Sequence, residues 1–145
     1  MPDGTHTPAI EWRVGSMLPP RTQPPITRTM LALYAGASGD HNPLHIDIDF
    51  ARSVAKMDDV IGHGMLTMAL LGRYLTELLR QRALRSYSVR FTGMSKVGDR
   101  IDCSGRVTKI FEESGIPCAQ INLDARRQGG DTLATGIAVV AIDDL

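Results

Sequence analysis

The sequence MLTMALLGRYLTELL, at residues 65–79, places apolar side chains over most of a helical wheel. A helix that is apolar nearly all round is normally buried. The pattern therefore predicts one long buried helix over about residues 65–81. The chain has 145 residues, which is enough to enclose this helix in one hydrophobic core without stabilising cross-links. The apolar run is too short for a membrane span, which needs about 20 apolar residues.

After this helix, the apolar pattern changes to alternation, which indicates half-buried strands, and the last strand is apolar on both faces, which suits a central or doubly covered strand. Strands are predicted at residues 87–91, 101–107, 119–127 and 133–142. Turns are predicted at residues 96–99, 113–115 and 128–131. Consecutive strands joined by such turns predict an antiparallel meander, and the long helix is the segment apolar enough to cover it. The expected fold class is α+β, a hot dog fold, in which an antiparallel sheet wraps around one long buried helix.

The segment before the helix predicts shorter elements. A strand is expected at residues 10–14, followed by an extended path imposed by four prolines between residues 19 and 25. Thr27 is a predicted helix N-cap, with a helix that ends near residues 36–39. We expect residues 1–9 to be a disordered tail and residues 10–145 to form a single domain.

The composition excludes several classes of function. Sixteen Lys and Arg balance sixteen Asp and Glu, and a net charge of zero argues against binding to nucleic acid or to an anionic membrane. Two cysteines without a CxxC pair predict neither a disulfide scaffold nor a structural zinc site. The first residues lack the pattern of a signal peptide, so a cytoplasmic location is expected.

The densest group of reactive side chains is GDHNPLH, at residues 39–45. It places the carboxylate of Asp40 and the imidazole of His45 on either side of a proline turn, in a predicted loop. If the turn brings both groups to one point, they would hold one water as a general acid–base pair. The alternative is structural, with Asp40 as a turn or cap residue and His45 as a hydrogen-bonded core histidine.

A second group, IGHGM at residues 61–65, lies at the predicted start of the long helix. Backbone N–H groups at a helix start have no partner within the helix and lie at the positive end of its dipole. Glycine there allows a ligand to approach closely, so the N–H of Gly64 is a candidate donor to a ligand oxygen that gains negative charge. The alternative is that Gly62 and Gly64 only permit a tight entry into the helix, with His63 as its cap.

Longer strings carry a family resemblance. YAGASGDHNPLH at residues 34–45 and IGHGMLT at residues 61–67 resemble the MaoC-like dehydratases, which include the (R)-specific enoyl-CoA hydratases. YSVRF at residues 87–91 and VGD at residues 97–99 extend the likeness, which runs from about residue 26 to the carboxyl terminus. The resemblance implies the hot dog fold. It also implies a homodimer in which two sheets join into one surface, or a heteromer with a related subunit.

The resemblance further implies reversible syn hydration of trans-2-enoyl thioesters to (3R)-3-hydroxyacyl thioesters. Asp40 and His45 match the family's catalytic pair, and Gly64 matches the backbone donor to the thioester oxygen. Asn42 and Pro43 match the turn that supports the loop. No metal and no redox cofactor is expected, because the reaction moves only protons and a water. The acyl group would arrive on coenzyme A or on an acyl carrier protein.

Two alternative functions remain open on the sequence: an acyl-CoA thioesterase, and an acyl-binding subunit of a heteromeric dehydratase. One residue departs from the family pattern, since some (R)-hydratases carry a serine in the central helix where a gapless reading places Gly72. The acyl pocket is expected near Leu66, Leu70 and Met94.

Overall fold

A computed structural model describes residues 10–144, so the predicted tail at residues 1–9 lies outside the described residues. The strands are β1 (Met17–Thr22), β2 (Leu84–Phe91), β3 (Ile101–Glu113), β4 (Ile116–Arg127) and β5 (Thr132–Ala141). The α-helices are α1 (Arg28–Ser38), α2 (Ile48–Ser53) and α3 (Gly64–Leu78). Short 3-10 helices lie at Pro43–His45, Gln81–Ala83 and Ile142–Asp144.

The five strands form one antiparallel sheet in the order β1-β3-β4-β5-β2, and α3 packs on one of its faces. Strand β4 shows the predicted alternation, because Ala119, Ile121, Leu123 and Ala125 are all buried. They belong to one core cluster with five side chains of α3, which are Leu66, Leu70, Leu71, Tyr74 and Leu75. The predicted sheet around a central helix, the hot dog fold, is confirmed.

The first strand was predicted at the wrong place. It lies at Met17–Thr22 rather than at residues 10–14, and it contains Pro19 and Pro20. Proline cannot donate a backbone hydrogen bond, so it is tolerated in a strand at a sheet edge or at a bulge. Both conditions hold here, because β1 pairs with β3 alone and its register shifts between Leu18 and Arg21.

The predicted four-stranded meander is correct for β3, β4 and β5 and wrong for β2. Strands β3, β4 and β5 are sequential neighbours, but β2 pairs with β5 rather than with β3. The turn at residues 96–99 exists, with the Asp99 N–H bonded to the Lys96 carbonyl. It does not form a β2–β3 hairpin, and Lys96 instead forms an isolated antiparallel bridge with Ile61. The β2–β3 connection thus crosses to the segment that precedes α3.

Helix α3 is buried on one side and not nearly all round. On the other side, Arg73, Thr76 and Glu77 are exposed together with Met65, which is 53% exposed. The number of apolar residues in the helix therefore led to a prediction of too much buried surface. The helix also ends at Leu78 rather than near residue 81, where a 3-10 turn follows.

The local signals were read correctly elsewhere. The Thr27 side chain accepts from the Met30 N–H and caps α1, which ends where Gly39 adopts a left-handed φ of 77°. Ser114 and Gly115 have φ of 52° and 79° and join β3 to β4 in the predicted tight turn. Cys103 and Cys118 are free and buried. Across residues 10–144, no helix combines the length and apolarity needed to cross a membrane.

Candidate active site

The loop that carries the predicted pair is built by three local devices. Gly39 stops α1 in a conformation that side chains avoid. The Asn42 side-chain oxygen then accepts from the Leu44 N–H at 3.0 Å and caps the 3-10 turn that begins at Pro43. Proline suits the first position of such a turn because its φ is already set. Asn42 and Pro43 therefore lie in the turn between Asp40 and His45, and their support of a catalytic loop stays a prediction.

Asp40 and His45 lie together, as predicted. Oδ2 of Asp40 is 3.8 Å from Nε2 of His45, and the two side chains are 48% and 12% exposed. Nδ1 of His45 lies 2.8 Å from the carbonyl oxygen of Ile61, and since a carbonyl only accepts, Nδ1 carries the proton. In the neutral ring, Nε2 is then the nitrogen without a proton, and it faces the carboxylate. A separation of 3.8 Å is too long for a direct hydrogen bond, and it suits one bridging water.

The structural and catalytic interpretations of Asp40 prove compatible. Its Oδ1 accepts from the Asn42 N–H at 3.3 Å, which is the turn role, while Oδ2 faces His45. The Asp40 N–H bonds in turn to the Ser38 hydroxyl at 3.2 Å. One oxygen thus fixes the orientation of the carboxylate and leaves the other open toward the imidazole. The negative charge also reaches Tyr34 on α1, whose pKa is raised by burial and by Asp40.

His63 is the member of the site that the sequence did not identify. It occupies the N-cap position of α3, but its side chain makes no capping bond. Its ring is 1% exposed and stacks on the His45 ring, with centroids 3.8 Å apart and planes 24° apart. Its Nε2 lies 3.2 Å from the Asp40 carbonyl oxygen, to which it donates. The HGM string was the available signal, but it was attributed to Gly64.

The segment before α3 is held by a close backbone approach. The Gly62 N–H donates to the Ser95 carbonyl at 2.8 Å, and a Cβ on Gly62 would lie 1.9 Å from Ser95 Oγ. A side chain at residue 62 would therefore force the Ser95 hydroxyl to rotate away, and its Cβ would then lie 3.2 Å from the Cβ of Ser95. This contact fixes the Ile61 carbonyl that orients His45, and the backbone that carries His63.

Gly64 is the first residue of α3 and follows His63 directly, so its N–H lies at the helix start next to the pair. A Cβ on Gly64 would meet the Phe91 ring at 3.6 Å, which is an ordinary contact. Steric demand thus does not explain the glycine. The unpaired N–H groups and the positive end of the helix dipole favour a partial negative charge at this point.

The geometry does not favour a metal centre. Asp40, His45 and His63 place possible ligand atoms within 4.8 Å of one another. An imidazole binds a metal ion close to its ring plane, about 2 Å from the nitrogen. The planes of two stacked rings 3.8 Å apart do not meet within that distance of both nitrogens. The absence of a metal therefore stays a prediction, which this ring geometry supports.

The predicted acyl-pocket residues differ in their surroundings. Leu66 lines an open apolar groove of about 450 Å³ with residues of α1 that include Tyr34, while Leu70 is buried and Met94 is 53% exposed. At Gly72, the position of the missing serine, a Cβ would lie 3.2 Å from the ring of Tyr87. The Tyr87 hydroxyl donates to the Met68 carbonyl at 2.8 Å, so this ring occupies the space beside the helix.

Comparison with known proteins identifies the family. The family described as MaoC like domain matches residues 12–120. A curated (R)-specific enoyl-CoA hydratase from Aeromonas caviae is 33% identical over 114 residues, which cover 77% of this chain and 83% of that relative. The chain belongs to the MaoC-like domain family. The resemblance to MaoC-like dehydratases that residues 34–45 and 61–67 indicated is thereby confirmed.

Solved structures of MaoC-like proteins share the architecture. R-hydratase PhaJ1 from Pseudomonas aeruginosa, in its unliganded form, is similar with a TM-score of 0.77 and 27% identity, covering 90% of this chain and 83% of that one. The (R)-hydratase from A. caviae involved in PHA biosynthesis has a TM-score of 0.76 and 30% sequence identity, and the match covers 92% of this chain and 98% of that one. A MaoC-like hot dog domain therefore accounts for nearly the whole described chain.

Proposed function

We propose that this MaoC-like protein catalyses the reversible hydration of trans-2-enoyl thioesters to (3R)-3-hydroxyacyl thioesters. One observation carries the proposal: Nε2 of His45, whose Nδ1 bonds to the Ile61 carbonyl, faces Oδ2 of Asp40 at 3.8 Å, beside the start of α3. A base, an acid and a helix N–H are the three groups that this reaction needs. The similarity to (R)-specific enoyl-CoA hydratases supports the same reaction.

The proposed chemistry assigns one role to each group. A water held between Asp40 and His45 gives a proton to Nε2 of His45 as its oxygen bonds to C3 of the substrate. The electrons of the double bond move toward the thioester, whose carbonyl oxygen accepts from the Gly64 N–H. The proton then passes from Nε2 of His45 to the Asp40 carboxylate across the 3.8 Å gap, and the resulting carboxyl delivers it to C2. Water adds across the double bond, and the protein is restored.

This reaction requires no oxidation and no group transfer to the protein. We therefore propose that the enzyme needs no resident cofactor, and that coenzyme A or an acyl carrier protein enters as part of the substrate. The two free buried thiols, Cys103 and Cys118, suit the reducing cytoplasm in which we place the protein. Burial raises the pKa of the Cys103 thiol to about 11, so it stays protonated at neutral pH.

The direct test follows the absorbance of the conjugated double bond of crotonyl-CoA in the presence of purified protein. Loss of that absorbance without release of thiol supports the hydratase. Thiol release with the double bond intact would identify a thioesterase and overturn the proposal. A panel of enoyl thioesters of different chain lengths, carried on coenzyme A or on acyl carrier protein, then defines the substrate.

We propose in addition that two copies associate through the free edge of β2. The other edge strand, β1, contains two prolines and is a poor partner for a further strand. Strand β2 pairs only with β5 among the described residues, and Phe91 at its end is 45% exposed. Joining two β2 edges would extend two five-stranded sheets into one.

Sedimentation equilibrium tests this assembly. We expect a mass twice that of the 15.8 kDa chain, because a free strand edge with exposed apolar side chains favours self-association. A single species at the mass of one chain, in a preparation that hydrates crotonyl-CoA, would contradict the homodimer. Hydration that starts only after a related subunit is added would indicate a heteromer instead.

A further inference from the structure

His63 contacts both members of the proposed pair, although it belongs to a different segment of the chain. Its ring stacks on the ring of His45, with centroids 3.8 Å apart, and its Nε2–H donates to the Asp40 carbonyl at 3.2 Å. Its other side meets the edge of Tyr34, with centroids 4.9 Å apart and planes at 66°. The imidazole is thus enclosed by α1, by the loop after it and by the turn that carries His45.

The protonation state of His63 follows from these contacts. Because Nε2 donates to a carbonyl, the neutral ring leaves Nδ1 bare, and Nδ1 is buried with no partner among residues 10–144. Burial lowers the pKa of His63 below its ordinary value, and the bond to the Asp40 carbonyl opposes this effect. The nearby His45 lowers the pKa further and the Asp40 charge raises it. Burial dominates, so His63 is neutral at neutral pH.

We propose that His63 is a positioning residue for the hydration reaction: it fixes the His45 ring by stacking and the Asp40 backbone by its hydrogen bond. The inference rests on the proposed function. Asp40 and His45 lie on one exposed loop, and the gap between their side chains has to match a single water. A rigid buried ring that touches both maintains that gap. A misplacement of about 1 Å in such a site costs on the order of 100-fold in rate.

The role requires three properties at once, and histidine supplies all of them. It needs a flat ring for stacking, one N–H donor for the Asp40 carbonyl, and no charge beside an imidazole that becomes protonated during the reaction. Phenylalanine supplies the ring without the donor, and glutamine supplies a donor without the ring. His63→Phe and His63→Gln therefore remove the two contacts separately.

We expect kcat for crotonyl-CoA to fall roughly 10- to 100-fold in each variant, with little change in KM, because the water rather than the thioester is misplaced. His41→Phe is the matched control, since His41 is an exposed histidine of the same loop. Circular dichroism checks that each variant is folded. Wild-type kcat in both His63 variants would overturn the proposal. A rise in KM with kcat unchanged would do the same.

Nitrogen-15 NMR of the histidine side chains tests the positioning without any turnover. In the wild type we expect His63 to remain neutral below its ordinary pKa of 6.5 and to hold the Nε2–H tautomer, and His45 to hold the Nδ1–H tautomer. In His63→Gln, which lacks the stacking ring, His45 should become a tautomer mixture, whereas His63→Phe keeps a ring at this position and should keep the Nδ1–H form. An unchanged His45 tautomer in His63→Gln would overturn the proposal even in a protein inactive on every thioester. Crotonyl-CoA left unhydrated by the wild type would overturn the proposed function separately.

The same burial predicts an acid-dependent loss of stability. The folded state holds His63 at a lowered pKa, so the unfolded chain binds a proton more readily. Neutral His63 makes its full contribution to the free energy of unfolding above the pKa of about 6.5 that it has in the unfolded chain. This contribution is lost as the pH falls through the lower pKa of His63 in the folded protein. Urea unfolding at several pH values should show this decline in the wild type and a weaker decline in His63→Phe. Equal slopes would show that His63 titrates normally and would count against the proposal.

Discussion

Asp40→Asn and His45→Gln should each lower kcat for crotonyl-CoA hydration on the order of 100-fold or more. Both substitutions keep a side chain of similar size that still forms hydrogen bonds, but neither new side chain exchanges a proton near neutral pH. KM should change little, because the thioester is held at the start of α3 rather than by the pair. The measurement is the initial rate of loss of double-bond absorbance at several substrate concentrations.

The two losses should not add. Asp40 and His45 act on the same water across a gap of 3.8 Å, so removing either one leaves the other without its reaction partner. Residues that work as a unit show this behaviour, and the double variant should be about as slow as the slower single variant. Multiplicative losses would indicate that the two groups act in separate steps, which would contradict the shared-water arrangement.

Two matched controls make the same chemical changes elsewhere on the loop and on α2. His41→Gln replaces an exposed histidine next to Asp40, and Asp49→Asn replaces an exposed aspartate in the first turn of α2. Both should keep the wild-type rate. If Asp40→Asn and His45→Gln also keep it, the pair has no catalytic role and the proposed function loses the observation that carries it.

Features encoded within a few residues were predictable from the sequence. The Thr27 cap, the left-handed Gly39 and the Ser114–Gly115 turn each depend on local chemistry, and all three are present. The pairing of Asp40 with His45 was predictable for the same reason, since one short turn joins them. Such signals need no knowledge of the rest of the chain.

Features that depend on distant segments were not predictable. Strand β2 pairs with β5 because the connection after β2 crosses to Ile61, and nothing within β2 encodes that crossing. The prolines of β1 are typical of a loop, and a strand tolerates them here because β1 lies at the sheet edge. His63 reaches the pair from a segment that Gly62 joins to the Ser95 carbonyl, a contact between segments far apart in sequence. The HGM string alone therefore did not predict that His63 lies beside Asp40 and His45.

Gly64→Pro should produce a loss of similar size by a different route, about 100- to 1000-fold in kcat, because it removes one backbone donor. Gly64 is the first residue of α3, where a backbone N–H has no helical partner and where proline is well tolerated. His63 before it has φ of −62° and ψ of 134°, an extended conformation that a residue before proline readily adopts. The variant should therefore fold with α3 intact while lacking the N–H proposed for the thioester oxygen.

Gly64→Ala separates the missing N–H from the added bulk. Its Cβ would meet the Phe91 ring at 3.6 Å, which needs no rearrangement, and its N–H remains in place. The ratio of kcat between the alanine and proline variants thus isolates the donor, and we expect alanine to retain far more activity. Thermal unfolding should give similar midpoints for both variants. Equal losses in the two variants would assign the effect to bulk at the helix start, and the enolate oxygen would then need a donor other than the Gly64 N–H.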